Sequence, residues 1–259
     1  MRQLLKTTFT VFVALVFTAG MAFGQDSRST IDQDGDDNAA NIEQVGADHG
    51  SKVTQDTRGF GSGNEAVVRQ NSGSGNYNEL SQTVQATARI DQVGSDNTSL
   101  LSQGGQNSAT VYQEGDGNRL ARYGALGKKA TQKNGTGAFA NGANSLFLRQ
   151  VGNDNTVGLL QEAGADAGIT LNGDGNTVGV RQKGDYNSTR QTATVNVTGS
   201  QNTVDIFQGP RFGLGADGQT GTAIIDGSSN FVDFDQMAAN SFSKATINGS
   251  NNSAVVVQK

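Results

Sequence analysis

The feature that most limits what this chain can become is a six-residue pivot that recurs along it. Four copies read apolar-x-Gly-x-x-Asn: Leu171-x-Gly173-x-x-Asn176, Val197-x-Gly199-x-x-Asn202, Ile225-x-Gly227-x-x-Asn230 and Ile247-x-Gly249-x-x-Asn252. Five more carry Gln in the first place: Gln33-x-Gly35-x-x-Asn38, Gln92-x-Gly94-x-x-Asn97, Gln113-x-Gly115-x-x-Asn118, Gln150-x-Gly152-x-x-Asn155 and Gln182-x-Gly184-x-x-Asn187. A weaker copy, Gln44-x-Gly46-x-x-His49, sets the single histidine where Asn is expected. Gly, Asn and Asp suit the positive backbone dihedrals of a tight turn, so each pivot reads as a corner between two strands.

The strand after the corner has its own signature, Asn-x-apolar-x-apolar-x-Gln, seen at Asn176–Gln182, Asn202–Gln208, Asn230–Gln236 and Asn252–Gln258. Side chains alternate faces along a strand, so the Asn, both apolar residues and the Gln share one face. The unit is strand, turn, strand, about 16 to 18 residues with variable connections. One such unit cannot bury its apolar face, and stacking units does. The expected fold class is all-β, a β-solenoid of two parallel stacked sheets with about nine to ten coils, on the order of 45 Å tall at the usual strand spacing.

In that fold the inward amides form ladders from rung to rung. The expected members are Gln33, Asn38, Gln44, Gln92, Asn97, Gln103, Gln113, Asn118, Gln150, Asn155, Gln161, Asn176, Gln182, Asn202, Gln208, Asn230, Gln236, Asn252 and Gln258. Each meets its copy above or below, which satisfies groups that would otherwise cost roughly 1 to 3 kcal/mol each when buried. The turn glycines are Gly35, Gly94, Gly115, Gly152, Gly173, Gly199, Gly227 and Gly249. The expected core is Leu146, Leu148, Val157, Leu159, Val178, Val180, Val204, Ile206, Val232, Phe234, Ala254 and Val256, with Arg69, Asp91, Arg149, Arg181, Asp205 and Asp233 pointing outward. Segments 57–63, 124–144 and 209–221 are Gly-rich or carry the lone Pro210, and read as loops bulging from the coil edges.

Composition separates this reading from disorder only through the periodicity, because 36 glycines and no tryptophan leave little large apolar surface. Arg2 and Lys6, an apolar run from Phe9 to Phe23 and the small-residue end Ala22-Phe23-Gly24 read as a secretory signal peptide over residues 1–24, which leaves residues 25–259 as the solenoid. The run is too short and too interrupted for stable membrane insertion. Its removal takes away two positive charges and no acid, moving the formal charge from −5 to −7. A mildly acidic chain is a poor nucleic-acid binder. It has no cysteine, so no disulfide can hold an exported fold.

The unit running from Ser145 through Leu146, Phe147, Leu148, Arg149, Gln150, Gly152, Asn155, Val157 and Leu159 to Gln161 resembles the curlin repeat of curli fibre subunits. The resemblance covers nearly the whole of residues 25–259. It implies a secreted functional amyloid that passes unfolded through a curli-type outer-membrane secretion pore, works with a nucleator subunit and polymerises as biofilm matrix on the cell surface. Against the family pattern this chain is long, carries irregular insertions, and has Leu171, Val197, Ile225 and Ile247 where Gln opens the repeat.

Other chemistries find little support. His49 has no cysteine or second histidine beside it and reads as a filler of an Asn slot. The acidic turns Asp34-Gly35-Asp36-Asp37 and Asp174-Gly175-Asn176 suit turn geometry and lack the nine-residue spacing of calcium-binding β-rolls. No nucleophile elbow and no phosphate-loop context accompanies the serines and glycines. The expectation is a self-assembling structural subunit, not an enzyme, with no cofactor or metal. The competing reading is a monomeric secreted β-helix adhesin that binds glycans or surfaces.

Overall fold

A computed structural model describes residues 26–57, 63–125, 128–133, 143–184, 190–209 and 218–259. In chain order the strands are β1 (Arg28–Asp34), β2 (Ala39–Ala47), β3 (Gly50–Asp56), β4 (Glu65–Ser74), β5 (Tyr77–Thr83), β6 (Thr87–Val93), β7 (Thr98–Gly104), β8 (Ser108–Glu114), β9 (Arg119–Arg122) and β10 (Ala130–Lys133). They continue with β11 (Ser145–Val151), β12 (Thr156–Glu162), β13 (Ala165–Asn172), β14 (Thr177–Lys183), β15 (Gln191–Thr198), β16 (Thr203–Gln208), β17 (Thr220–Asp226), β18 (Phe231–Gln236), β19 (Phe242–Asn248) and β20 (Ser253–Gln258). The chain alternates between two parallel sheets, so each pair of strands makes one coil. The first sheet runs β1-β3-β5-β7-β10-β12-β14-β16-β18-β20, and β9 joins it beside β7 and β12. The second runs β2-β4-β6-β8-β11-β13-β15-β17-β19.

Register follows from the period of two. A slip of one residue would turn every aliphatic outward, and the partners are indeed like on like: Val157 on Val178, Val178 on Val204, Val204 on Val232 and Val232 on Ala254. The inward residues of both sheets make a single core. Leu146, Leu148, Val157, Leu159, Val178, Val180, Val204, Ile206, Val232 and Phe234 are buried in it, and Ala254 and Val256 pack against its open end half-buried.

The corner that leads from the second sheet to the first explains the glycines. At Gly152 φ is +108°, a region that strains any residue with a Cβ. A Cβ there would also lie 2.4 Å from the carbonyl oxygen of Gly173. The same collision recurs up the column, since a Cβ on Gly94 would meet the Gly115 oxygen at 2.3 Å and one on Gly199 the Gly227 oxygen at 2.0 Å. Coils approach at this corner backbone to backbone.

Three expectations need correction. The pivots are not one corner: Gly94, Gly115, Gly152, Gly173, Gly199, Gly227 and Gly249 lie between a second-sheet strand and a first-sheet strand, while Gly35 follows β1 and turns the chain the opposite way. The Gln182 pivot also lies on that opposite side, where Gln191 and not Asn187 pairs into the sheet, and Asn187 falls outside the described residues. Segment 124–144 is not all loop. Within it β10 completes the rung that β9 begins, and Gln132 and Asn144 are buried. In the same way Thr57 is buried, as is Gln219 at the end of segment 209–221, with Thr220 and Gly221 already in β17. The glycines misled because a Gly-rich connection and a Gly-interrupted strand look alike without knowledge of what stacks on them.

Candidate functional site

The inward amides form four columns. In the first sheet ten glutamines run without a break, each Nε2 donating to the next Oε1: Gln33 to Gln55 at 2.7 Å, Gln55 to Gln82 at 2.9 Å, Gln82 to Gln103 at 3.1 Å, Gln103 to Gln132 at 3.0 Å and Gln132 to Gln161 at 2.9 Å. The column continues from Gln161 to Gln182 at 3.0 Å, to Gln208 and Gln236 at 2.9 Å each, and to Gln258 at 3.2 Å. From Gln55 to Gln258 each Nε2 donates to a backbone carbonyl of the facing sheet, as Gln161 does to Ser145 at 3.1 Å. In the second sheet the corresponding column is shorter: Gln44 to Gln70 at 2.7 Å, then Gln92, Gln113 and Gln150 at 2.9 Å each. It ends there, because Gln150 pairs with Leu171, and Val197, Ile225 and Ile247 follow.

Asparagines hold the corners. The Asn97 backbone N–H and Nδ2 both donate to Asn76 Oδ1 at 3.0 Å, and Nδ2 also reaches the Gly115 carbonyl at 2.7 Å. Asn118, Asn155, Asn176, Asn202, Asn230 and Asn252 repeat the bond to the Asn one coil earlier. His49 occupies this column below Asn76 and is buried, its Nε2 3.2 Å from the Val45 carbonyl, while Nδ1 has no partner among the described residues. At the opposite corner Asn64 donates to Asn38 Oδ1 and Asn144 to Asn107 Oδ1, each at 3.0 Å. Further up, Gln191 and Gln219 take over, joined at 2.9 Å.

The expected ladder residues thus stand in register, in separate columns and not on one face of one sheet. The reading missed Gln55, Gln70, Gln82, Gln132, Asn64, Asn76, Asn107 and Asn144. Four of these, Asn64, Gln70, Asn107 and Asn144, lay in plain view, because Asn64–Gln70, Asn107–Gln113 and Asn144–Gln150 all match the seven-residue strand signature. Asn76–Gln82 deviates only in having Asn78 at the first apolar place.

One device stands on the outer face. Between β9 and β10 the chain leaves the first sheet and folds back over it: the Tyr123 ring lies on Gly179, where a Cβ would come within 2.7 Å of Cε2, and its hydroxyl donates to Asp205 Oδ2 at 2.8 Å. On the other side Lys129 Nζ pairs with Glu79 Oε1 at 3.2 Å. The excursion so bridges from β5 to β16. Burial pushes the Tyr123 phenol up to about 12, helped by its hydrogen bond and by the Asp205 charge. Burial likewise raises Asp205, with the Asp233 charge adding to it and the Tyr123 bond opposing it. Among the described residues no cluster of three or more His, Asp or Glu could hold a metal ion.

Among the described residues the two ends of the stack are open strands. β1 and β2 form one end, β19 and β20 the other. Outward Val255, Val257 and Phe242 at the second end are more than half exposed. The chain matches no family model, no curated protein and no solved structure. The curlin resemblance therefore rests on the repeat residues themselves.

Proposed function

We propose that this protein is a structural subunit of secreted, amyloid-type extracellular fibres, built by head-to-tail stacking of the first coil (Ile31 to Gln44) on the last (Ala245 to Gln258). The observation that carries the reading is that the first-sheet glutamine column reaches both open ends. An exposed strand edge templates another strand, and solenoids that stay single normally carry polar terminal caps. Here the terminal rungs repeat the interior pattern, with half-buried Ile31, Ile42, Ala254 and Val256 as incomplete core. In this reading the chain is exported by its leader, passes a curli-type outer-membrane pore, is started by a nucleator subunit and acts on the cell surface in matrix cohesion and adhesion.

The test uses residues 25–259 purified under denaturing conditions and left at micromolar concentration after removal of denaturant. Fibres with a meridional reflection near 4.7–4.8 Å are expected, together with amyloid-dye binding. A chain that stays monomeric for days defeats the proposal.

A further inference from the structure

The two glutamine columns meet the first rung differently. In the interior of either column, each Oε1 accepts from the Gln one coil earlier. At the first rung no earlier coil stands among the described residues. Gln33 Oε1 accepts no hydrogen bond among the described residues, whereas Gln44 Oε1 accepts one from Ser29 Oγ at 2.6 Å. One column is left open and the other is closed by a neighbouring hydroxyl.

The far end shows the matching difference. The first-sheet column ends in Gln258, whose Nε2 donates among the described residues only to the Phe242 carbonyl at 3.1 Å, so that one of its two hydrogens has no partner there. The second-sheet position ends in Ile247, which has no donor to offer. If the strand registers simply continue past the ends, Gln258 falls on Gln33, Val256 on Ile31, Ala245 on Ile42 and Ile247 on Gln44. The oxygen left open at one end is the one that finds a donor at the other.

We propose that the first rung is matched to the last rung of a second copy of this same chain, in one register, and that Ser29 sets this preference by supplying the hydrogen bond that Ile247 cannot. The proposal rests on the fibre reading above and deepens it. A partner whose last rung carried Gln in both sheets would gain nothing at Gln44 from its extra amide, because the oxygen is already taken. Selectivity of this kind comes from removing the benefit of the wrong partner as much as from rewarding the right one.

Because the chain has no cysteine, the register can be read by cross-linking. In the proposed seam Thr30 and Val255 are direct parallel neighbours, about 4.8 Å apart between strands, within disulfide reach. Fibres of the Thr30→Cys/Val255→Cys variant, oxidised after assembly, are expected to give a ladder of covalent multimers on a non-reducing gel. The Arg28→Cys/Val257→Cys pair lies about four residues out of register, roughly 13 Å along the strand, and is expected to give none. Fibres that cross-link through the second pair, or through neither, overturn the seam while leaving fibre formation standing. Absence of fibres overturns both.

The role of Ser29 has its own readout, the soluble concentration left when assembly stops. Ser29→Ala is expected to raise it about fivefold, the effect of one lost hydrogen bond. Ser29→Thr, which keeps the hydroxyl, is expected to hold it near the original value, and Ser29→Ala combined with Ile247→Gln to bring it back down. An unchanged soluble concentration for Ser29→Ala refutes the assignment.

Discussion

At the scale of single residues the fold is governed by unsatisfied polar groups and not by apolar area. An amide in the interior is tolerated because its copy one coil away meets it, and each interior Gln of the long column, Gln55 to Gln236, has both hydrogens committed, as Gln132 does to Gln161 and Ser108. His49 is the informative exception. It fills an Asn slot, yet it offers no side-chain oxygen to the Asn76 backbone N–H, which Asn76 itself offers to Asn97 at 3.0 Å. Replacing His49→Asn should therefore extend the corner column by one rung. The expected gain is about 1 kcal/mol, or roughly 2–4 °C in the unfolding midpoint for a chain of this size, measured by thermal circular dichroism; a loss of stability would mean that the imidazole's packing on Gly46 outweighs the ladder bond. The pivot asparagines were legible from the sequence because their spacing from glycine is constant, whereas Asn64, Asn76, Asn107 and Asn144 lie outside the ten pivots and escaped it. His49's slot was legible for the same reason.

At the scale of elements the rungs are equivalent in backbone and unequal in lining. In the early coils the second-sheet position carries Gln44, Gln70, Gln92, Gln113 and Gln150, and the first-sheet residue that opens the inward row is Ser29, Ser51, Asn78 or Ser99. In the later coils Leu171, Val197, Ile225 and Ile247 take the second-sheet position, and the first-sheet residues at the same levels are Val157, Val178, Val204 and Val232. Polar mostly lines polar and aliphatic lines aliphatic, with Gln150 the exception: the first-sheet residue at its level is Leu120, and its amide is met instead by Gln113 and by the Arg119 and Asn155 carbonyls. The Tyr123 excursion is the element that no repeat pattern could foretell, since its strand halves are too short to show a period. Its bond to Asp205 carries a pH signature. Asp205 is raised in the folded chain, so folding favours the protonated form: the group imposes no cost below the ordinary carboxylate range and its full cost above the raised value. Asp205→Asn, which keeps an acceptor for Tyr123, is expected to be more stable than the parent at pH 7, with the difference shrinking as pH falls and gone below about pH 4. Equal stabilities at pH 7 would contradict the burial of this carboxyl.

At the scale of the whole molecule the two open ends belong to a chain of net charge −5, or −7 over residues 25–259. Like charge on successive copies opposes stacking and is screened by salt. Assembly is expected to have a shorter lag near the pI of about 4.8 than at pH 7, and at pH 7 to be hastened by added sodium chloride. Dye-binding time courses across pH and salt provide the check. A lag indifferent to both would show that the seam is limited by rearrangement of the terminal rungs and not by repulsion.

The sequence by itself determined the period, the parallel two-sheet stack and which residues face inward, because alternation along a strand and a glycine at a fixed distance from an Asn are local properties. It also marked the aliphatic substitutions at Leu171, Val197, Ile225 and Ile247. Only the tertiary structure decided which corner each pivot belongs to, that Gln132 lies in the column although its strand is split, and that Tyr123 reaches Asp205 across three strands. Each of those depends on what is stacked above and below, with partners 21 to 82 residues away in the chain, and no local pattern encodes a neighbour that distant. The different treatment of Gln33 and Gln44 at the first rung belongs to the same class: two identical residues eleven positions apart, told apart only by where Ser29 comes to rest.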